Sequence, residues 1–81
     1  MSDPLSPIQL DEIEKRCVAA TPGPWISLVE GRDFDSGTSF IQTTGEDIYL
    51  AGATIADQDF IAHARQDILA LIQEIRILRR S

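Results

Sequence analysis

Apolar residues recur along this chain in two helical patterns that flank a run of short alternations. Leu10, Ile13, Cys17 and Ala20 are spaced three, four and three apart, which places them on one face of an amphipathic helix. Asp11, Glu12, Glu14, Lys15 and Arg16 fill the remaining faces. Ser6-Pro7 marks the start, since serine is a favoured N-cap and proline is tolerated at the first helical position. Gln9 stands at the third helical position and can complete a capping box. The pattern predicts a helix over 7–19, after a disordered lead over 1–5. Thr21-Pro22-Gly23-Pro24 ends it, because two prolines around a glycine cannot continue a helix.

Three short segments of strand character follow, over 25–30, 38–44 and 47–51. The Asp, Ser and Gly content of Gly31 to Gly37 predicts a turn between the first two. Gly45-Glu46 predicts a tight turn between the second and third. Connections this short favour an antiparallel meander.

From Ala56 the helical period returns. Ile61, Ala64, Ile68, Leu71, Ile75 and Leu78 alternate spacings of three and four, a heptad-like seam. Leu69, Ile72 and Ile77 add apolar surface outside it. One stripe is enough to cover a small sheet, so this helix carries more apolar surface than the sheet can use. The excess predicts a homo-oligomer formed through residues 61–78. Asp67 is also able to cap a new helix, which leaves open a break near Gln66. The fold expected is α+β in the order α-β-β-β-α: a three-stranded antiparallel sheet, an N-terminal helix and a longer C-terminal helix, in one domain over 1–81.

Length and charge narrow the function. A chain of 81 residues builds a thin core, and small domains often rely on disulfides, a metal or a partner subunit. One cysteine and one histidine give neither a disulfide nor a zinc spacing, so oligomerisation is the route left. The formal net charge is −6, which disfavours extended nucleic acid, whose affinity comes from many cationic contacts. Arg76, Arg79 and Arg80 read first as a helix C-terminus, where the dipole favours cations. No apolar run approaches the ~20 residues of a membrane span, and no targeting segment is visible. The expectation is a cytoplasmic protein without membrane contact, metal or cofactor.

Groups able to do chemistry are few. His63 has Asp59 and Asp67 one helical turn away on either side, an arrangement that can tune a general base. An exposed histidine on a solvated face is the simpler reading. Cys17 sits on an apolar face with no base nearby in sequence, which fits an inert thiol. Asp33, Asp35 and Asp47 lack the fixed spacing of a calcium loop. Gly31, Gly37 and Gly45 are too scattered for a phosphate loop. A non-catalytic protein is therefore expected. The most specific segment is Thr21-Pro22-Gly23-Pro24-Trp25, in which stiff prolines and a glycine free to take positive φ present the only tryptophan. Trp25 can plug the gap between the first helix and the sheet, or stack on an aromatic ligand.

Residues 16–25, Arg-Cys-Val-Ala-Ala-Thr-Pro-Gly-Pro-Trp, and the later stretch Asp59-Phe60-Ile61-Ala62-His63-Ala64-Arg65-Gln66-Asp67 followed by Leu71 together resemble a family of small phage, prophage and actinobacterial proteins labelled ead-like. Its pattern continues with a proline where this chain has Leu69, a departure that favours one continuous helix. The resemblance implies an accessory protein of a mobile element, of the kind that counters host defence. Such a protein acts as a sponge for a nucleotide-derived immune signal, or docks a host or phage protein, here through the apolar C-terminal helix. For a small anionic ligand the implied residues are Trp25 for stacking, Arg65 for a phosphate or carboxylate and Asp67 to orient it or accept from ribose, with Thr21, Tyr49 and His63 around them. Equally, Arg65 and Asp67 can clamp the Thr21–Trp25 loop to the last helix.

Overall fold

A computed structural model of the chain describes residues 4–80. Four elements follow in order: helix α1 (Pro7–Ala19), strand β1 (Ile26–Leu28), strand β2 (Phe40–Gln42) and helix α2 (Ile55–Arg80). Of the lead expected over 1–5, residues 1–3 lie outside the described part, and Pro4 and Leu5 carry no regular structure.

Local chemistry fixes both helix starts. Ser6 Oγ accepts from the Gln9 amide, and Gln9 Oε1 accepts from the Ser6 amide, a complete capping box. Thr54 and Asp57 repeat the device at α2, each side chain accepting from the other's backbone amide at 3.0 Å. Helix α2 then runs unbroken for 26 residues. The break considered near Gln66 is absent, because nothing at Gln66 or Asp67 interrupts the backbone ladder.

β1 and β2 pair antiparallel with Ile26 opposite Gln42, Ser27 opposite Ile41 and Leu28 opposite Phe40. The expected third strand over 47–51 does not form. Ile41 and Ile48 exchange one pair of backbone bonds, at 2.8 and 2.9 Å, and pairing stops there. Gly52, at φ +78°, already turns the chain towards the Thr54 cap. The segment is committed to reaching α2 before a second pair can close. The sheet therefore has two strands, shorter than the 25–30 and 38–44 expected. Glu30 and Phe34 close the intervening turn, where Gly31 takes φ +87° and Asp33 Oδ2 accepts from the Val29 amide at 2.7 Å.

At ~1.5 Å per residue α2 is roughly 39 Å long, most of the 49 Å long axis of the molecule. Its first half lies on the sheet, and its second half lies against α1. The core is correspondingly thin: among the described residues only Leu10, Val29, Ile41, Ala62 and Ile72 are buried apolar residues, joined by the polar Ser27 and Gln58. Two arginines bind the layers through ion pairs. Arg76 donates to Asp11 and Glu14 of α1, each at 2.8 Å. Arg32 makes a two-pronged contact with Asp59 of α2 at 2.9 and 3.1 Å.

The face of α2 that meets the rest of the fold is not the apolar seam. Gln58, Ala62 and Ile72 are its buried residues, with Arg65, Gln66, Leu69 and Arg76 half-buried beside them. Ile61, Ile68, Leu71 and Leu78, all seam positions, are exposed. At ~100° per residue the two faces stand roughly 120° apart.

Candidate functional site

The loop between α1 and β1 is held by α2. Gln66 grips Trp25 from both sides of its backbone: its Oε1 accepts from the Trp25 amide at 2.9 Å, and its Nε2 donates to the Trp25 carbonyl at 3.1 Å. Gly23 makes room for this grip. A side chain there would stand 3.3 Å from Gln66 Oε1. The glycine eases that approach, where a Cβ would press on the Gln66 amide, and it does not adopt a positive φ. The Gly23-Pro24 bond is cis. From the far side Thr44 Oγ1 donates to the Pro22 carbonyl at 2.8 Å, so the turn after β2 braces the same loop.

One carbonyl of the loop joins Trp25 to Arg65 of α2. The Thr21 oxygen accepts from Trp25 Nε1 at 2.8 Å and from Arg65 Nε at 3.2 Å. Trp25 and Arg65 then line an open cleft of about 370 Å³ with Arg16, Cys17, Ile13 and Ala20 of α1 and Ile61, Ala64 and Ile68 of α2. Its surface is mostly apolar. Cys17 is half-buried in its wall rather than enclosed in the core.

The cleft has an electrostatic peculiarity. Two of the arginines in this acidic chain are neutralised within the fold: Arg32 by Asp33 and Asp59, and Arg76 by Asp11 and Glu14. Among the described residues no carboxylate pairs with Arg16 or Arg65, the two that line the cleft. Arg65 spends only Nε on Thr21, and among the described residues its two terminal nitrogens make no hydrogen bond, which leaves them able to donate to a planar anion.

Other candidate residues lie elsewhere. Tyr49 packs on Phe40, with ring centroids 5.7 Å apart, and is exposed. His63 is exposed and its Nδ1 contacts the Asp59 carbonyl at 2.8 Å. The Asp59 carboxylate faces Arg32, so the His63–Asp59 pair considered for acid–base work is not assembled. Asp67 is exposed and takes no part in the loop clamp; Gln66 performs that role instead. Among the described residues no group of three or more His, Cys, Asp or Glu converges for a metal. Thus Thr21, Trp25 and Arg65 are brought together, whereas Asp67, His63 and Tyr49 are not among the cleft's lining residues. Sequence reasoning missed Arg16 and Gln66, although both stand inside the segments it quoted.

Asp59 gives the fold a measurable pH dependence. Hydrogen bonds from Arg32, then from Ser27, hold its carboxyl at about 2, below its ordinary 3.8. Asp33 is lowered too, first by the Val29 amide. A carboxyl depressed in the folded state contributes stability that is full above the unfolded value and is lost as pH falls through the folded one. The melting temperature of the wild type is expected to drop between pH 4 and pH 2, and Asp59→Asn to melt lower at neutral pH with a shallower acid decline. Thermal unfolding across that pH range checks this, and parallel curves for the two proteins would contradict it.

Among the described residues no helix is long and apolar enough to cross a membrane. Comparison with known proteins brings no match to a family model, to a curated protein or to a solved structure, so the reading of the cleft rests on its own geometry.

Proposed function

We propose that the protein is a non-catalytic binder that sequesters a small aromatic anion of nucleotide type in the Trp25 cleft. The observation that carries this is that Arg16 and Arg65, which pair with no carboxylate among the described residues, line one cleft beside a half-buried indole. An apolar wall with two donors at its rim suits a ligand with one flat face and one phosphate: the base stacks on Trp25 and the phosphate meets the guanidinium groups. Sequestration needs only stoichiometric affinity, which suits a chain whose histidine bonds a backbone carbonyl rather than a carboxylate among the described residues. The resemblance of the two motifs to small phage accessory proteins adds a setting to the reading. In that setting the protein works in the host cytoplasm and removes a nucleotide-derived immune signal.

Thermal unfolding against mono-, di- and cyclic nucleotides and ADP-ribose derivatives tests the proposal. A ligand at ~100 times its dissociation constant adds about 2.7 kcal/mol, a shift of several degrees for a domain of this size. Arg16→Ala and Arg65→Ala are each expected to weaken binding about tenfold, the order of one charge-assisted hydrogen bond. Arg16 is exposed and makes no side-chain hydrogen bond among the described residues, so its variant reads the ligand contact alone; Arg65→Ala also gives up the bond to the Thr21 carbonyl, and circular dichroism must show that it still folds. No shift across the panel rejects the nucleotide reading.

A second reading has its own observation. The seam of α2 leaves Phe60, Leu71 and Leu78 at 74%, 60% and 65% exposure, more apolar surface than an isolated helix carries without purpose. A module that docks a host or phage protein would use that face. Affinity capture with Leu71→Glu as the control tests it.

A further inference from the structure

We propose that α2 pairs antiparallel with α2 of a second copy through its apolar seam, and that this pairing supplies the missing wall of the Trp25 cleft. The second part rests on the ligand reading above; the first does not.

The seam is continuous and lies on one side. Phe60, Ile61, Ala64, Ile68, Leu71, Ile75 and Leu78 fall within an arc of roughly 100°. Helix α1 and the sheet occupy a different face, centred on Gln58, Ala62 and Ile72. Phe60, Ile61, Ile68, Leu71 and Leu78 together expose on the order of 500 Å² of apolar side chain, so two copies would remove about 1,000 Å², the lower limit for a specific interface. Flanking side chains add to that. A monomer so thin in its core gains more from this burial than a larger domain would.

Charge sets the orientation. Among the α2 charges that form no ion pair within the described chain, Asp57 and Asp67 outnumber Arg65 in the first half, and Arg79 and Arg80 outnumber Glu74 in the second. Two parallel copies would bring like ends together. Antiparallel copies bring the acidic end of each to the basic end of the other, and the helix dipoles agree. A two-fold axis between Ile68 and Leu71 then sets Ile61 of one copy against Leu78 of the other. The surface is complementary to itself, which is what a closed isologous dimer requires.

The cleft borders this interface. Ile61, Ala64 and Ile68 belong both to the seam and to the cleft wall. Ile61 also lines a second apolar hollow with Phe60 and the Leu50–Ala53 turn. A helix laid on the seam passes over the open side of the cleft and would turn a surface groove into an enclosed site.

Mass in solution decides the pairing. Light scattering or sedimentation equilibrium on the full chain is expected to give twice the 9.0 kDa of one chain. Leu71→Glu, at a position 60% exposed, should halve that mass and leave the circular dichroism unchanged. A wild type that stays monomeric across a concentration series overturns the pairing and hands the seam to the docking reading. Orientation is read by cross-linking in a Cys17→Ala background. Ile61→Cys and Leu78→Cys chains should form a disulfide when mixed and not when alone; disulfides in each chain alone would overturn the antiparallel arrangement. For the wall, a nucleotide that shifts the wild type should lose that shift in Leu71→Glu, which keeps Arg16, Trp25 and Arg65. Equal shifts overturn the shared wall. A dimer that takes no nucleotide rejects the ligand reading alone and leaves the pairing standing.

Discussion

Ile41→Ala is expected to remove about 3–4 kcal/mol of stability, the upper part of the usual range for deleting three buried carbons. Among the described residues Ile41 is the one large side chain with no exposed surface. It is also the central residue of the β structure. One edge of its backbone is paired within β1–β2 opposite Ser27, and the other exchanges both bonds with Ile48. The surrounding groups cannot collapse into the space without moving α2 or breaking a pair. A domain of this size has a total stability on the order of 4–12 kcal/mol, so the variant stands near the threshold of unfolding at 37 °C. Urea unfolding followed by circular dichroism checks the value. A loss below about 1 kcal/mol would mean that the sheet yields freely, and that the Trp25 loop braced on it is less firmly placed than the hydrogen bonds imply.

The helices were legible from sequence because their signals are local. The Ser6–Gln9 box and the proline pair after Ala20 act within a few residues, and the observed α1 matches the predicted span. The third strand failed for a reason that no local pattern carries. Residues 47–51 alternate as a strand should, but the chain must reach the Thr54 cap, and only Ile48 pairs on the way. The seam of α2 is a subtler case. Its period is real, yet the fold buries a different face, because the sheet is met by an amide at Gln58 and a methyl at Ala62, and the loop before it by an amide at Gln66. Periodicity finds apolar stripes; it does not find side chains that substitute for backbone partners.

The same limit applies to the site. Trp25 and Arg65 stood out through the motifs that contain them, and the Thr21 carbonyl does join them. Arg16 carried no signal as a site residue, since an arginine in the last turn of a helix is already explained by the dipole. What distinguishes it is its place on the cleft beside Arg65, with no carboxylate partner among the described residues, a property of the fold as a whole. Asp67 looked suited to clamp the loop, but helix geometry turns it outward and presents Gln66 instead. One step of ~100° separates the two.

Gln58→Leu is expected to cost about 2–3 kcal/mol, although leucine is similar in size and more apolar than the residue it replaces. Gln58 Nε2 lies 2.9 Å from Ser27 Oγ, 3.1 Å from the Phe40 carbonyl and 3.2 Å from the Leu28 carbonyl. Leu28 and Phe40 are opposite one another at the end of the β1–β2 ladder. The amide thus caps the end of the sheet from the helix above it. Leucine would remove the amide donor from all three acceptors at once, and a net loss of about 1 kcal/mol for each hydrogen bond gives that figure. The damage should extend further, because Ser27 also donates to Asp59 and helps hold that carboxyl low. Losing Gln58 frees Ser27 to turn, so the acid decline set by Asp59 should change in the same variant. Two readings separate this network from ordinary packing. Gln58→Glu at neutral pH should be at least as harmful as leucine, since a carboxylate faces two carbonyls, and it should recover as the pH falls and the acid is protonated. If Gln58→Leu instead proves neutral or stabilising and Gln58→Glu shows no recovery in acid, the amide is a passive filler and the sheet end is satisfied some other way.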